Sequence, residues 1–247
     1  GARIEGNRIV SVGPHKPAGH SGPNFIDGAA LTLMPGLIEF HSHLQKDMGE
    51  AQARSWLAFG ITTVRSPGGT PYEAVEDREV IDAGVRPGPR VFSTGYLMEW
   101  QRVYYKMGIA ISSAAQLEME LARAKVLDHD LVKSYVRMTD LQQRRMVEFA
   151  HANGIPVATH EVYPSTFVGV DNTEHVAATS RRGYSPKMSP FQRSYGDVIG
   201  LFGAAHTIFC PMIANAGVRR VFAADAALAK DPRFALYPQW MREQVAA

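Results

Sequence analysis

From residue 31 onward, short β-branched apolar runs alternate with amphipathic stretches of helical length, and no other feature narrows the possible folds so far. Strands are expected at 37–40, 61–64, 90–94, 131–136, 155–159, 170–175 and 206–210, with helices at 50–59, 72–83, 114–127, 141–152 and 195–204. Gly60, Gly84 and Asn153-Gly154 close three of these helices, while Ser113 and either Thr139 or Asp140 can open two of them. Helix-length connections suit parallel strands, because a crossover must return the chain to the same edge. The pattern predicts an α/β fold, with a (β/α)8-type TIM barrel as the first choice. Chemistry-bearing residues fall at the C-terminal ends of several strands, where such barrels place their sites. A doubly wound open sheet is the second choice, but no Gly-x-Gly-x-x-Gly run follows any strand. Seven strands are legible against the eight of a full barrel, so an incomplete barrel is expected.

Residues 1–30 have a different texture. Residues 8–12 are strand-like, Gly13-Pro14 stops them, and 17–23 is turn-rich. Thirty residues are too few for a sandwich, so this reads as part of a small flanking β domain, with residues 31–247 as the barrel. The chain opens on Gly1 rather than methionine, which suggests processing or a piece of something longer. A 45% hydrophobic and 20% charged composition, with a formal charge of +2 from interspersed signs, points to a globular protein without a nucleic-acid surface. No apolar run approaches the roughly 20 residues of a membrane-spanning helix. The single cysteine, Cys210, excludes an internal disulfide and reads as a buried thiol rather than a nucleophile.

The expected strand 37–40 ends in His41-Ser-His43. Residues i and i+2 of a strand share a face, so both imidazoles can leave the strand end together and grip one ion. The alternative is that one histidine joins a hydrogen-bond network while the other is exposed. Lys133 near the end of its strand, His160 after 155–159 and His175 after 170–175 extend the same pattern. Each has a plain alternative too, as a snorkelling lysine or a core histidine. His151 and His206 read as surface residues, and His15, His20 and His129 lie in turn-like surroundings.

Pro35-Gly-Leu-Ile-Glu-Phe-His-Ser-His43, Gly60-Ile-Thr-Thr-Val-Arg65, Leu131-Val-Lys133, Ala158-Thr-His160-Glu and Thr173-Glu-His175 follow one another in an order that resembles the metal-site strands of the amidohydrolase superfamily. The resemblance runs from Asn7 onward, and Glu5-Gly-Asn-Arg-Ile-Val-Ser-Val-Gly-Pro14 is similar to the small β domain beside those barrels. Gly183-Tyr-Ser-Pro-Lys-Met-Ser-Pro190 resembles the members that occur behind a β-propeller domain. The resemblance implies a binuclear site in which His41 and His43 hold the more buried ion and His160 and His175 the more exposed one. Lys133 would bridge them. An ammonium has no lone pair for that purpose, and the family's answer is carboxylation by carbon dioxide to an anionic carbamate. Two divalent ions, zinc for preference, would then supply a bridging hydroxide to a polarised carbonyl.

One departure stands against these matches. The family carries an aspartate at the end of the eighth strand as a proton shuttle, and here only Asp225 is a candidate, in an alanine-rich stretch that reads better as helix. The chain is therefore expected to end before the eighth strand, and to form a homo-oligomer or associate with the missing part of the barrel. Lys133 and His175 are the expected catalytic residues. Arg137, which shares strand parity with Lys133 and Tyr135, and Tyr163 are the substrate-binding candidates; Glu99 and Trp100 could line the pocket. The reading is a metal-dependent hydrolase that cleaves an amide C–N bond of a peptide-like or cyclic small molecule, with neither nucleic acid nor membrane as partner. Ester or lactone hydrolysis at the same site is the alternative, as is a non-catalytic incomplete barrel.

Overall fold

The computed structural model describes residues 1–14, 22–104, 106–175, 187, 191, 193–212, 227 and 230–246. They divide into two compact units, Gly1–Gly36 and Leu37–Ala247. In the first, β1 (Ala2–Glu5) and β2 (Arg8–Val12) form an antiparallel hairpin with a register shift between Arg3 and Ile4. Gly6 takes the left-handed turn position at φ 59°, which its missing Cβ permits.

The second unit is built on parallel strands. β3 (Leu37–Glu39), β4 (Ile61–Ser66) and β5 (Arg90–Ser93) pair in that order. A second sheet has β6 (Leu97–Trp100), β7 (Gly108–Ile111), β8 (Val132–Ser134), β9 (Val157–Thr159), β10 (Asn172–Glu174) and β11 (Ile208–Cys210), ordered β11-β10-β9-β8-β6-β7. The two sheets are joined where β5 gives way to β6. The Asp130 N–H donates to the Ser93 carbonyl at 3.0 Å, and the Ser93 N–H donates to Asp130 Oδ2 at 2.8 Å. β5 and β6 thus follow one another along one edge, broken at residues 94–96, with Asp130, just before β8, bonded to β5 and β8 itself paired with β6. This is the parallel α/β arc expected of an incomplete (β/α)8 barrel, with no pairing between β3 and β11 among the described residues.

Helices α1 (Glu50–Ala58), α2 (Pro71–Asp82), α3 (Ala114–Val126), α4 (Asp140–Ala152), α5 (Ser165–Val168) and α6 (Gly196–Ala205) connect the strands. The caps work as their residues predict: Ser113 accepts from the Gln116 N–H and Thr139 from the Gln142 N–H. Leu117 and Leu121 of α3 and Met146, Val147 and Ala150 of α4 bury one face against Val132 and Val157, forming the main apolar core. Burying a Leu or Met side chain contributes about 1.5–3 kcal/mol, so this layer fixes the strands that carry the site. A polar tie crosses it, in which Gln143 Nε2 donates to Ser134 Oγ at 2.6 Å and Ser134 Oγ donates to Thr159 Oγ1 at 2.9 Å.

β6 and β7 are additions to the expected strands. Polar Gln101-Arg102 and Gly108 interrupt their apolar pattern, and pairing between them supplies the order that periodicity does not. No helix among the described residues is long and apolar enough to cross a membrane.

Candidate metal centre

His41 emerges from β3 on a turn closed by its own N–H donating to Glu39 Oε1 at 2.8 Å, while Ser42 N–H donates to the Arg65 carbonyl at 3.1 Å. His43 Nδ1 lies 2.7 Å from the Gly68 carbonyl; as a donor to it, the ring leaves Nε2 bare. Gly68 leaves room for this approach. A Cβ there would sit 2.6 Å from Leu97 Cδ2 and 3.1 Å from His43 Cε1. Lys133 is central in β8 and 1% exposed, and its Nζ has no hydrogen-bond partner. His160 follows β9, buried, with Nδ1 unpartnered. His175 follows β10 in the left-handed region at φ 59°, held there by its N–H donating to the Cys210 carbonyl of β11 at 2.8 Å.

These turns bring the sequence-predicted histidines together. Ring centroids lie 5.3 Å apart for His41 and His43, 4.6 Å for His41 and His175, and 4.6 Å for His160 and His175. His41 Nε2 and His175 Nε2 are 3.3 Å apart. The unpartnered His160 Nδ1 and the convergence of four imidazoles fit a site for divalent cations.

The electrostatics favour lone pairs over protons. Burial pushes His41 down to about 3 and His175 to about 4, lowers His43 despite the Gly68 carbonyl, and takes His160 well below the usual histidine range. All four rings are neutral at pH 7. Burial also brings Lys133 down to about 8, against the pull of Glu174. Desolvation would raise the Glu174 carboxyl, but Lys133, the His41 hydrogen bond and Arg65 outweigh it and hold the group well below the ordinary carboxylate range.

Glu174 and Arg65 are the residues that sequence reasoning left without a role. Glu174 Oε2 lies 2.7 Å from His41 Nδ1; Oε1 lies 2.5 Å from an Arg65 guanidinium nitrogen and 3.4 Å from Lys133 Nζ. Arg65 also donates to the Phe40 carbonyl at 2.7 Å and to Asn172 Oδ1 at 3.0 Å, so it crosses the interior from β4 to β10. Both sit inside the motifs, and the i, i+2 parity of Asn172 and Glu174 was the available signal. Cys210 is buried, as expected, and its Sγ forms with His41 and Glu174 a group of ligand atoms lying within 4.8 Å of one another. Desolvation raises this thiol to about 11. A further buried cation, Lys187, donates to the His160 carbonyl at 2.5 Å and is brought down to about 7 by burial.

The substrate-binding candidates lie apart from this cluster in character. β8 ends at Ser134, so the strand parity that points Arg137 at the mouth does not extend to it. Arg137 sits in the following turn and donates to the buried Glu99 Oε2 at 3.1 Å. Tyr163 is 46% exposed and precedes a cis Pro164. Trp100 packs against the apolar core. His151 pairs with Asp171 at 2.9 Å on the surface, and His206 is exposed at the end of α6, as expected. His129 lies in the turn after α3, as expected; it is buried there, and burial lowers it to about 4. Asp225, most of 183–190, His15 and His20 lie outside the described residues.

This chain has the fold of solved amidohydrolase-superfamily structures. No protein-family model and no curated sequence matches the chain. Among solved structures it is similar to a prolidase complexed with N-methylphosphonate-L-proline, with a TM-score of 0.68, 17% identity and coverage of 99% of this chain and 67% of the other. A putative prolidase from Bifidobacterium longum matches at TM-score 0.54 and 27% identity, over 71% of this chain and 46% of that one. A Xaa-Pro dipeptidase with methionine in its active site matches at 0.59 and 18%, over 86% and 60% respectively. The chain thus spans between 46% and 67% of the length of these relatives.

Proposed function

We propose that this chain carries the metal centre of a hydrolase that cleaves an amide C–N bond in a peptide-like or cyclic small molecule. The observation that carries the reading is the convergence of four buried or half-buried imidazoles from three strand ends, with ring centroids 5.3 Å apart for His41 and His43 and 4.6 Å apart for His160 and His175, together with the buried Lys133. His41 and His43 would hold one ion, His160 and His175 a second, with Lys133 as the bridge once carbon dioxide has converted it to a carbamate. Divalent ions there, zinc by the donor set, would polarise a carbonyl and acidify a water.

Two features of the chain's own residues support this. Lys133 is buried and displaced toward its neutral amine, the form that reacts with carbon dioxide. The backbone turn at His175 sets its ring against His41 and leaves Nε2 facing the centre. The structural neighbours named as prolidase and dipeptidase support amide cleavage over ester or lactone cleavage, which the same site would allow.

Elemental analysis of the purified chain, alongside His41→Ala and Lys133→Ala, tests the proposal. Two ions per chain, falling in both variants, support it. A chain that takes up no divalent ion when supplied with zinc and bicarbonate sinks it. Matched amide and ester substrates then separate the two leaving groups.

A further inference from the structure

We infer that Glu174, clamped by Arg65, is the positioning residue that keeps the His41 proton on Nδ1 and so leaves the Nε2 lone pair free to face outward. An imidazole carries one proton on either nitrogen when neutral, and the partner of one nitrogen decides the state of the other. Glu174 Oε2 lies 2.7 Å from Nδ1, and an ionised carboxylate can only accept. Nδ1 must therefore donate. Nε2, on the far side of the ring, faces His175 Nε2 at 3.3 Å.

Arg65 makes this one-way. It donates to Glu174 Oε1 at 2.5 Å, and Lys133 Nζ stands 3.4 Å from the same oxygen. Arg65 is itself oriented by the Phe40 carbonyl at 2.7 Å and Asn172 Oδ1 at 3.0 Å, so β3, β4 and β10 all set the carboxylate plane. The consequence is specific for an isosteric change. In Glu174→Gln the two ends of the side chain are no longer alike: one is an acceptor oxygen, the other an NH2 donor. Two cations face the Oε1 position, so the oxygen belongs there and the NH2 turns to His41. Nδ1 must then accept, the proton moves to Nε2, and the outward lone pair is lost although no atom has changed size. His43 is the internal control, since its Nδ1 is held by the Gly68 carbonyl at 2.7 Å.

The inference rests on the metal reading for its purpose, but its test does not. Histidine ring nitrogens of the whole, metal-free chain, 15N-labelled at its nine histidines, report the tautomer directly by two-dimensional NMR at pH 7. His41 is expected as the Nδ1–H form in the parent and as the Nε2–H form in Glu174→Gln, with His43 unchanged in both. The same tautomer in both proteins overturns the inference. So does an Nε2–H form in the parent alone, which needs no folded variant. In a separate titration with zinc in the presence of bicarbonate, Glu174→Gln should bind zinc about 10–100-fold more weakly. Failure of the parent to bind zinc, with the tautomer switch intact, would reject the proposed function and leave the positioning role standing. Binding in the parent without a switch would do the reverse.

Discussion

Replacing Arg65 with methionine isolates the energetic role of the interior clamp, because methionine keeps the apolar stem and removes only the guanidinium. Three bonds are lost: to the Phe40 carbonyl at 2.7 Å, Asn172 Oδ1 at 3.0 Å and Glu174 Oε1 at 2.5 Å. A guanidinium placed 4.0 Å from the Phe40 ring centroid is lost with them. Hydrogen bonds to charged groups are worth about 1.5–3 kcal/mol each, but they share one group and do not add. The larger effect is the carboxylate left behind. Glu174 is fully buried, and breaking a buried pair from one side costs about 3–5 kcal/mol. Lys133, 3.4 Å away, remains as a partial counter-charge and sets the expectation toward the lower end, about 3 kcal/mol. Urea denaturation of the metal-free chain, followed by far-UV circular dichroism, measures the loss as a fall in midpoint at constant slope. The double variant Arg65→Met/Glu174→Gln should recover part of it, since the orphaned charge is gone. A single-variant loss below about 1 kcal/mol would refute the reasoning, because it would mean that water or Lys133 satisfies the carboxylate without Arg65.

Stability of the metal-free chain should fall as pH drops from about 6.5 to 4. The folded-state values of His41 and His175, about 3 and about 4, lie below the 6.5 of the unfolded chain, so the unfolded state binds more protons across that window. Each histidine withheld from protonation adds a slope of up to about 1.4 kcal/mol per pH unit, and a urea midpoint that stays flat from pH 6.5 to 4 would contradict the burial. Gly68→Ala should destabilise by about 1–3 kcal/mol through the 2.6 Å clash with Leu97, with relief in Gly68→Ala/Leu97→Ala; calorimetric melting checks it, and an unchanged melting temperature would refute the close approach.

Much of the architecture was legible in the chain because the signals that set it are local. Periodicity and caps placed α3 and α4 to within a residue or two, since Ser113 and Thr139 act on amides three positions away. The strand-end positions of His41, His43, His160 and His175 are legible in the sequence, whereas their gathering into one cluster is what the family resemblance implies. Strand 131–136 shows where that reasoning weakens: the ladder ends at Ser134, so the parity argument for Arg137 had no strand to run along, and the turn delivers its guanidinium to Glu99.

By itself, then, the sequence determined the alternation of strand and helix, the helix ends and which side chains reach the strand ends, all set by interactions within a few residues. Only the tertiary structure decided that Glu174 and Arg65 join the site, 109 positions apart along the chain. It also decided that His41 and His175 meet at 3.3 Å across 134 positions. The physical reason is that the curvature of a parallel sheet, together with the desolvation of its interior, selects partners by distance in space, and neither quantity is written in any local run of residues.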